Sequence, residues 1–75
     1  MQVYASTRID EGHPTERTFR VVRYHDRGGW DVQGNRGELG WESRKTFYSL
    51  ATALREMDAW AKEERARLAA AKLPR

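Results

Sequence analysis

Through the first two thirds of the chain apolar and polar residues alternate with a period of two; near Ser49 the period lengthens to three and four. Gln2–Ile9, QVYASTRI, sets Val3, Ala5, Thr7 and Ile9 on one side and Tyr4, Ser6 and Arg8 on the other, which predicts a strand. Residues 10–15, DEGHPT, carry Gly12 and Pro14 and predict a loop. Residues 18–25, TFRVVRYH, predict a second strand, with Phe19 and Val21 on one face and Arg20, Val22 and Tyr24 on the other. Asp26-Arg27-Gly28-Gly29 follows as a turn. Residues 30–34 predict a third strand with Trp30 and Val32 inward, and the GNRG tetrad from Gly34 to Gly37 reads as a hairpin turn. A last strand is predicted over 39–47, where Leu39, Trp41 and Phe47 share one parity and Glu42, Arg44 and Thr46 the other.

The helical period begins after Ser49, whose side chain is placed to cap the first turn; Thr52 stands where a capping box would have Glu or Gln. Leu50, Ala53, Leu54, Met57, Trp60 and Ala61 form one apolar stripe. From Lys62 on, good helix formers dominate, Asp58–Lys62 and Glu63–Arg67 have i,i+4 spacing, and only Leu68 continues the stripe before Pro74 ends the helical potential. The pattern therefore predicts one α+β domain over residues 1–75: an antiparallel meander of three strands, or four if 2–9 joins it, packed on one face by a long C-terminal helix of about 49–72.

The chain has 75 residues and no cysteine, so a small apolar core must hold it together without disulfides or a thiolate metal site. Phe19, Trp30, Trp41, Phe47 and Trp60 are the bulky candidates, and at least two of the three tryptophans are expected inside. No apolar run approaches the length of a membrane span and no secretory hydrophobic region opens the chain, which points to a cytoplasmic protein without membrane contact.

Fourteen basic against eleven acidic residues leave a net charge of +3, with both signs interspersed. Catalytic chemistry has no constellation to work with. The three serines Ser6, Ser43 and Ser49 and the two histidines His13 and His25 show no nucleophile-base spacing, and His25 beside Asp26 is an ordinary turn pair. Two histidines without paired carboxylates make no metal site, and the glycines around Gly37 lead into a strand instead of a phosphate-binding helix. The expectation is a protein that is not an enzyme and uses no cofactor and no small-molecule substrate.

The strand parity leaves one face of the sheet uncovered. It is expected to carry Tyr4, Arg8, Arg20, Val22, Tyr24, Gln33 and Arg44, with Arg36 in the adjoining turn. Arginine with tyrosine suits phosphate contact and base stacking, and equally suits a protein interface. Two further features frame the choice: Asp31, Glu38 and Glu42 near the sheet would repel a phosphate backbone, and the charged helix end offers a surface for a homodimer.

The segment GGWDVQGNRGELGWESRKTFYSLATALREMDAW carries a Trp opening the middle strand (Trp30), a Gly turn, Arg44 and Lys45 before the aromatic Phe47, and Ala53 and Leu54 inside the helix. Over about residues 18–60 it resembles the small three-stranded-sheet-plus-helix DNA-binding domains of phage-type tyrosine integrases and short bacterial domains of the same layout, although the charged pair usual after the aromatic is absent. The resemblance implies a sheet that enters the DNA major groove, with Arg20, Tyr24, Gln33 and Arg44 as contacts. The first expectation is thus a non-enzymatic binding module of phage or bacterial origin that engages nucleic acid. The alternatives are an inhibitor or regulator that occludes a nucleic-acid-processing protein complex, for example an anti-CRISPR or a transcription regulator, and a homodimeric structural module.

Overall fold

A computed structural model describes residues 1–72. Four strands, β1 (Gln2–Ile9), β2 (Arg17–Arg23), β3 (Trp30–Asn35) and β4 (Trp41–Phe47), form an antiparallel sheet in sequence order, and helix α1 (Leu50–Lys72) crosses one of its faces. The first strand does join the sheet, so the meander has four strands. Pro74 and its predicted helix stop lie outside the described residues.

The helix stripe behaves as its spacing predicts. Ala53, Met57, Trp60 and Ala61 are buried, and Leu50, Leu54 and Leu68 pack against them. They meet Ile9 of β1, Phe19 and Val21 of β2 and Val32 of β3, with Trp30 and Phe47 at the margin. Phe19 is the hub: its ring packs at 4.9 Å from that of Trp60, tilted by 58°. Ser49 caps the helix, accepting a hydrogen bond from the Thr52 amide at 3.4 Å while its carbonyl starts the ladder to Ala53. At about 1.5 Å per residue the 23-residue helix outruns strands of 6 to 8 residues, so Ala69, Ala70 and Ala71 are exposed.

Glycine is required at two points. Gly29 ends the β2–β3 turn at φ +82°, and a Cβ there would come within 2.8 Å of the Phe47 carbonyl oxygen. Gly34 belongs to β3 and not to the turn predicted over the GNRG tetrad. It lies opposite Phe19, and a Cβ would meet the Trp60 ring at 2.9 Å. The turn proper starts at Arg36, runs through a 3-10 segment (Gly37–Leu39) and closes when the Arg36 amide donates to the Gly40 carbonyl at 2.6 Å.

Both edge strands depart from strict alternation. In β1 the register passes from Val3 opposite Val22 to Ala5 opposite Val21, so Tyr4 is an extra, bulged residue. In β4, Lys45 lies opposite Val32 and Ser43 opposite Gln33, which leaves Arg44 bulged. Each bulge exchanges the faces of the residues beyond it.

Several sequence expectations are corrected by these two bulges and the 3-10 turn. Leu39 precedes β4 and is 83% exposed, and Trp41, opposite Asn35, lies on the helix-free face. Of the tryptophans, Trp60 is buried, Trp30 is half-buried and Trp41 is exposed. The i,i+4 ion pairs expected on the helix are replaced by others: Glu63 pairs with Arg44 of β4 at 2.9 Å, and Arg67 with Glu64 at 2.8 Å.

Candidate interaction face of the sheet

On the face turned away from α1, cross-strand neighbours line up in rows because paired residues of an antiparallel sheet share a side. Val3, Val22, Asp31 and Thr46 make one row, and Ser6, Arg20, Gln33 and Ser43 the next. Trp41 stands beyond them, opposite Asn35.

The second row is a connected polar layer. The Arg20 Nε donates to Gln33 Oε1 at 2.8 Å, and the Gln33 Nε2 donates to the Tyr24 hydroxyl oxygen at 2.7 Å. Both ends of the Gln33 amide are used, and the residue is 3% exposed. The Arg20 guanidinium lies 3.6 Å from the centroid of the Trp41 ring, which remains 39% exposed. Beside this layer Val22 is fully buried, and the Thr46 hydroxyl donates to the Asp31 carboxylate. The layer therefore orients its own members, and what it shows to solvent is the Trp41–Arg20 stack with half-exposed Val3 and the hydroxyls of Ser6 and Ser43 around it.

The seven residues read as contacts from the sequence separate into three groups. Arg20, Tyr24 and Gln33 do come together, as the polar layer just described; Tyr24 lies just past the end of β2. Arg8 is on the same face, opposite Thr18, but it faces Glu11 at 3.4 Å and Glu16 at 4.0 Å. The other three are elsewhere. The bulge turns Tyr4 to the side of Trp30, where the rings meet edge to face at 6.1 Å. Arg44 is on the helix side, with its guanidinium 5.0 Å from the centroid of the Trp60 ring and its charge on Glu63. Arg36 sits in the turn, 3.7 Å from Glu42.

Trp41 is the residue that alternation misplaced. The signal was present in β4, because the parity that joins Leu39, Trp41 and Phe47 also puts Ser43 and Lys45 on the core side. Two polar residues among three aromatic or aliphatic ones mark a slip of one position, which a bulge at Arg44 supplies.

On the helix side a second set of charged groups closes the far end of the core. Arg17 donates from Nε to the Asn35 carbonyl at 2.7 Å and spans Glu42 at 3.3 Å and Glu64 at 3.4 Å. Its guanidinium lies 5.0 Å from the Phe19 ring centroid and 5.1 Å from that of Trp60. The hydrogen bond from Arg67, with the nearby charge of Arg17, holds the Glu64 carboxyl below the usual carboxylate range against the opposing effect of burial. This set ties the strands to the second half of α1 and borders a groove of about 890 Å³ rimmed by the β3–β4 turn.

Among the described residues no group of three His, Cys, Asp or Glu is placed to hold a metal, and no helix is long and apolar enough to cross a membrane. Compared with protein-family models, with curated proteins and with solved structures, the chain matches none of them.

Proposed function

We propose that this protein is a non-enzymatic binding module that docks a protein partner on the helix-free face of its sheet, with Trp41 as the anchor. One observation carries this reading: three of the four candidate arginines, Arg8, Arg36 and Arg44, already face carboxylates, whereas Trp41 is exposed and stacked on the fourth. A phosphate backbone gains affinity by exchanging its counterions for unpaired cations, and on this face it would meet an Arg8 already flanked by Glu11 and Glu16, while Arg36 and Arg44 are paired with Glu42 and Glu63 away from it. Base reading by Gln33 would require breaking both of its side-chain hydrogen bonds.

A protein partner uses the same face differently. A rigid Trp, held by a guanidinium that is itself fixed by Gln33, loses little side-chain freedom on docking, and Trp and Arg dominate the energetics of protein interfaces. Covering a functional surface of that partner is how so small a module would regulate or inhibit it. The exposed positions of α1, by contrast, present only alanine and charged side chains among the described residues, a poor surface for a stable dimer.

The test compares capture from nuclease-treated host lysate with a shift assay on single- and double-stranded oligonucleotides. The expected result is one protein retained by the wild type, lost with Trp41→Ala and kept with Tyr48→Ala, a second exposed aromatic just past the far end of β4. A salt-sensitive nucleic-acid shift that Trp41→Ala abolishes would transfer the face to nucleic acid and overturn the reading.

A further inference from the structure

We propose a second site, at the opposite end of the sheet, that binds a phosphate dianion, either the free ion or the monoester of a small molecule. It is a recess of about 270 Å³ lined by Gln2, Tyr4, Arg23, Tyr24, His25 and Arg27. Gln2 opens β1 and pairs with Arg23 at the end of β2, while the other lining groups come from the bulge and the β2–β3 turn.

The two arginines of this recess differ from most of those on the sheet. Arg8, Arg17, Arg36, Arg44 and Arg67 each face a glutamate. Arg23 has no carboxylate within 4.0 Å among the described residues, and Arg27 has only its neighbour Asp26, at 3.9 Å and with that carboxylate 82% exposed. No carboxylate lines the recess itself. Two guanidinium charges therefore share one concavity without internal compensation, which attracts a dianion.

Both cations are also held in place. Arg23 lies 4.7 Å from the Trp30 ring centroid, and Arg27 lies 4.6 Å from that of Tyr24. Stacking fixes each planar fork by its face and leaves its N–H edges to donate, so little side-chain entropy is lost when an anion arrives. Tyr4, His25 and Gln2 also line the recess and bring further hydrogen-bonding side chains to it. A carboxylate has two oxygens in one plane; a phosphate offers more oxygens, arranged tetrahedrally, and its double charge matches the two arginines.

The site shares Tyr24 with the polar layer of the proposed protein surface, but its arginines lie away from the anchor, since Trp30 and Trp41 occupy opposite ends of the β3–β4 pair. Isothermal titration at fixed ionic strength with inorganic phosphate, ribose 5-phosphate, AMP and adenosine tests it. The phosphate-bearing probes are expected to bind and adenosine to remain silent. Equal affinity for all three phosphates assigns the free ion, and tighter binding of the monoesters assigns the organic ligand. Arg27→Gln is exposed enough to leave the fold intact and should weaken binding roughly 10- to 100-fold. Arg23→Gln, checked for folding by circular dichroism, should do the same, while Arg55→Gln should leave phosphate binding unchanged. Absence of binding by every phosphate probe, binding of adenosine alone, or binding that Arg27→Gln leaves unchanged would overturn the assignment.

Discussion

Gly34 decides how closely the helix can approach the sheet. Its missing side chain is the space that the Trp60 ring, the Arg17 guanidinium and the Phe19 ring share, and an added methyl would stand 2.9 to 3.1 Å from all three. None of these neighbours is a loose chain end: two are rings of the core, and Arg17 is tethered to the Asn35 carbonyl and two glutamates. Gly34→Ala is therefore expected to destabilise the protein by about 1–3 kcal/mol through overpacking, read as a lower urea midpoint with an unchanged slope. A midpoint equal to that of the wild type would refute this account of the residue. Two tryptophans illustrate the same dependence on place: Trp60 is spent on the core, and Trp41, on the other side of the sheet, is left exposed.

At the scale of the element, α1 is docked in two ways. Its first three turns are held by apolar contact, and its later turns by Leu68 and the charged set of Arg17, Glu64 and Arg67. Because the folded-state pKa of Glu64 lies below its ordinary value, its contribution to stability is present above the ordinary carboxylate range and is lost as pH falls through the lowered value. Acidification is thus expected to loosen the second half of the helix before the first. Glu64→Gln should remove about 1–2 kcal/mol at neutral pH and flatten that acid-side dependence. Hydrogen exchange of the helix amides against pH checks both statements; equal protection along α1 at every pH would contradict them. The bulges in β1 and β4 act at this scale too, since each turns one side chain off the strand's regular face and interrupts an otherwise regular sheet edge.

The whole molecule rests on one small core, Ile9, Phe19, Val21, Val32, Ala53, Met57, Trp60 and Ala61. A chain of 75 residues has a total stability of about 4–11 kcal/mol, and loss of a buried Phe ring costs about 3–5 kcal/mol. Phe19→Ala is consequently expected to leave a large unfolded fraction at room temperature, visible as lost near-ultraviolet dichroism. Most of the ion pairs, in contrast, have at least one exposed partner. Raising the salt concentration at neutral pH should then change stability by less than about 1 kcal/mol. A well-folded Phe19→Ala variant, or a large loss of stability with salt, would shift the balance from core to charge.

The order of elements, the antiparallel meander and the buried stripe of the helix were legible in the amino-acid sequence, because each depends on local periodicity and on glycines between strands. The opposed faces of β2 were legible for the same reason: Phe19 and Val21 alternate with Arg20 and Val22, and no irregularity intervenes. The tertiary structure alone decided the faces of Tyr4, Trp41 and Arg44. A bulge is a property of two strands in register, and the residue that slips is fixed by its partner across the ladder and not by its neighbours in the chain. It also decided that Gln33 would be a buried link between Arg20 and Tyr24, that Arg8, Arg17, Arg36, Arg44 and Arg67 would pair with glutamate, and that Arg23 and Arg27 would line the recess at the sheet's end. Charge pairing of this kind joins residues far apart in sequence, so composition could count the charges but only the fold could match them.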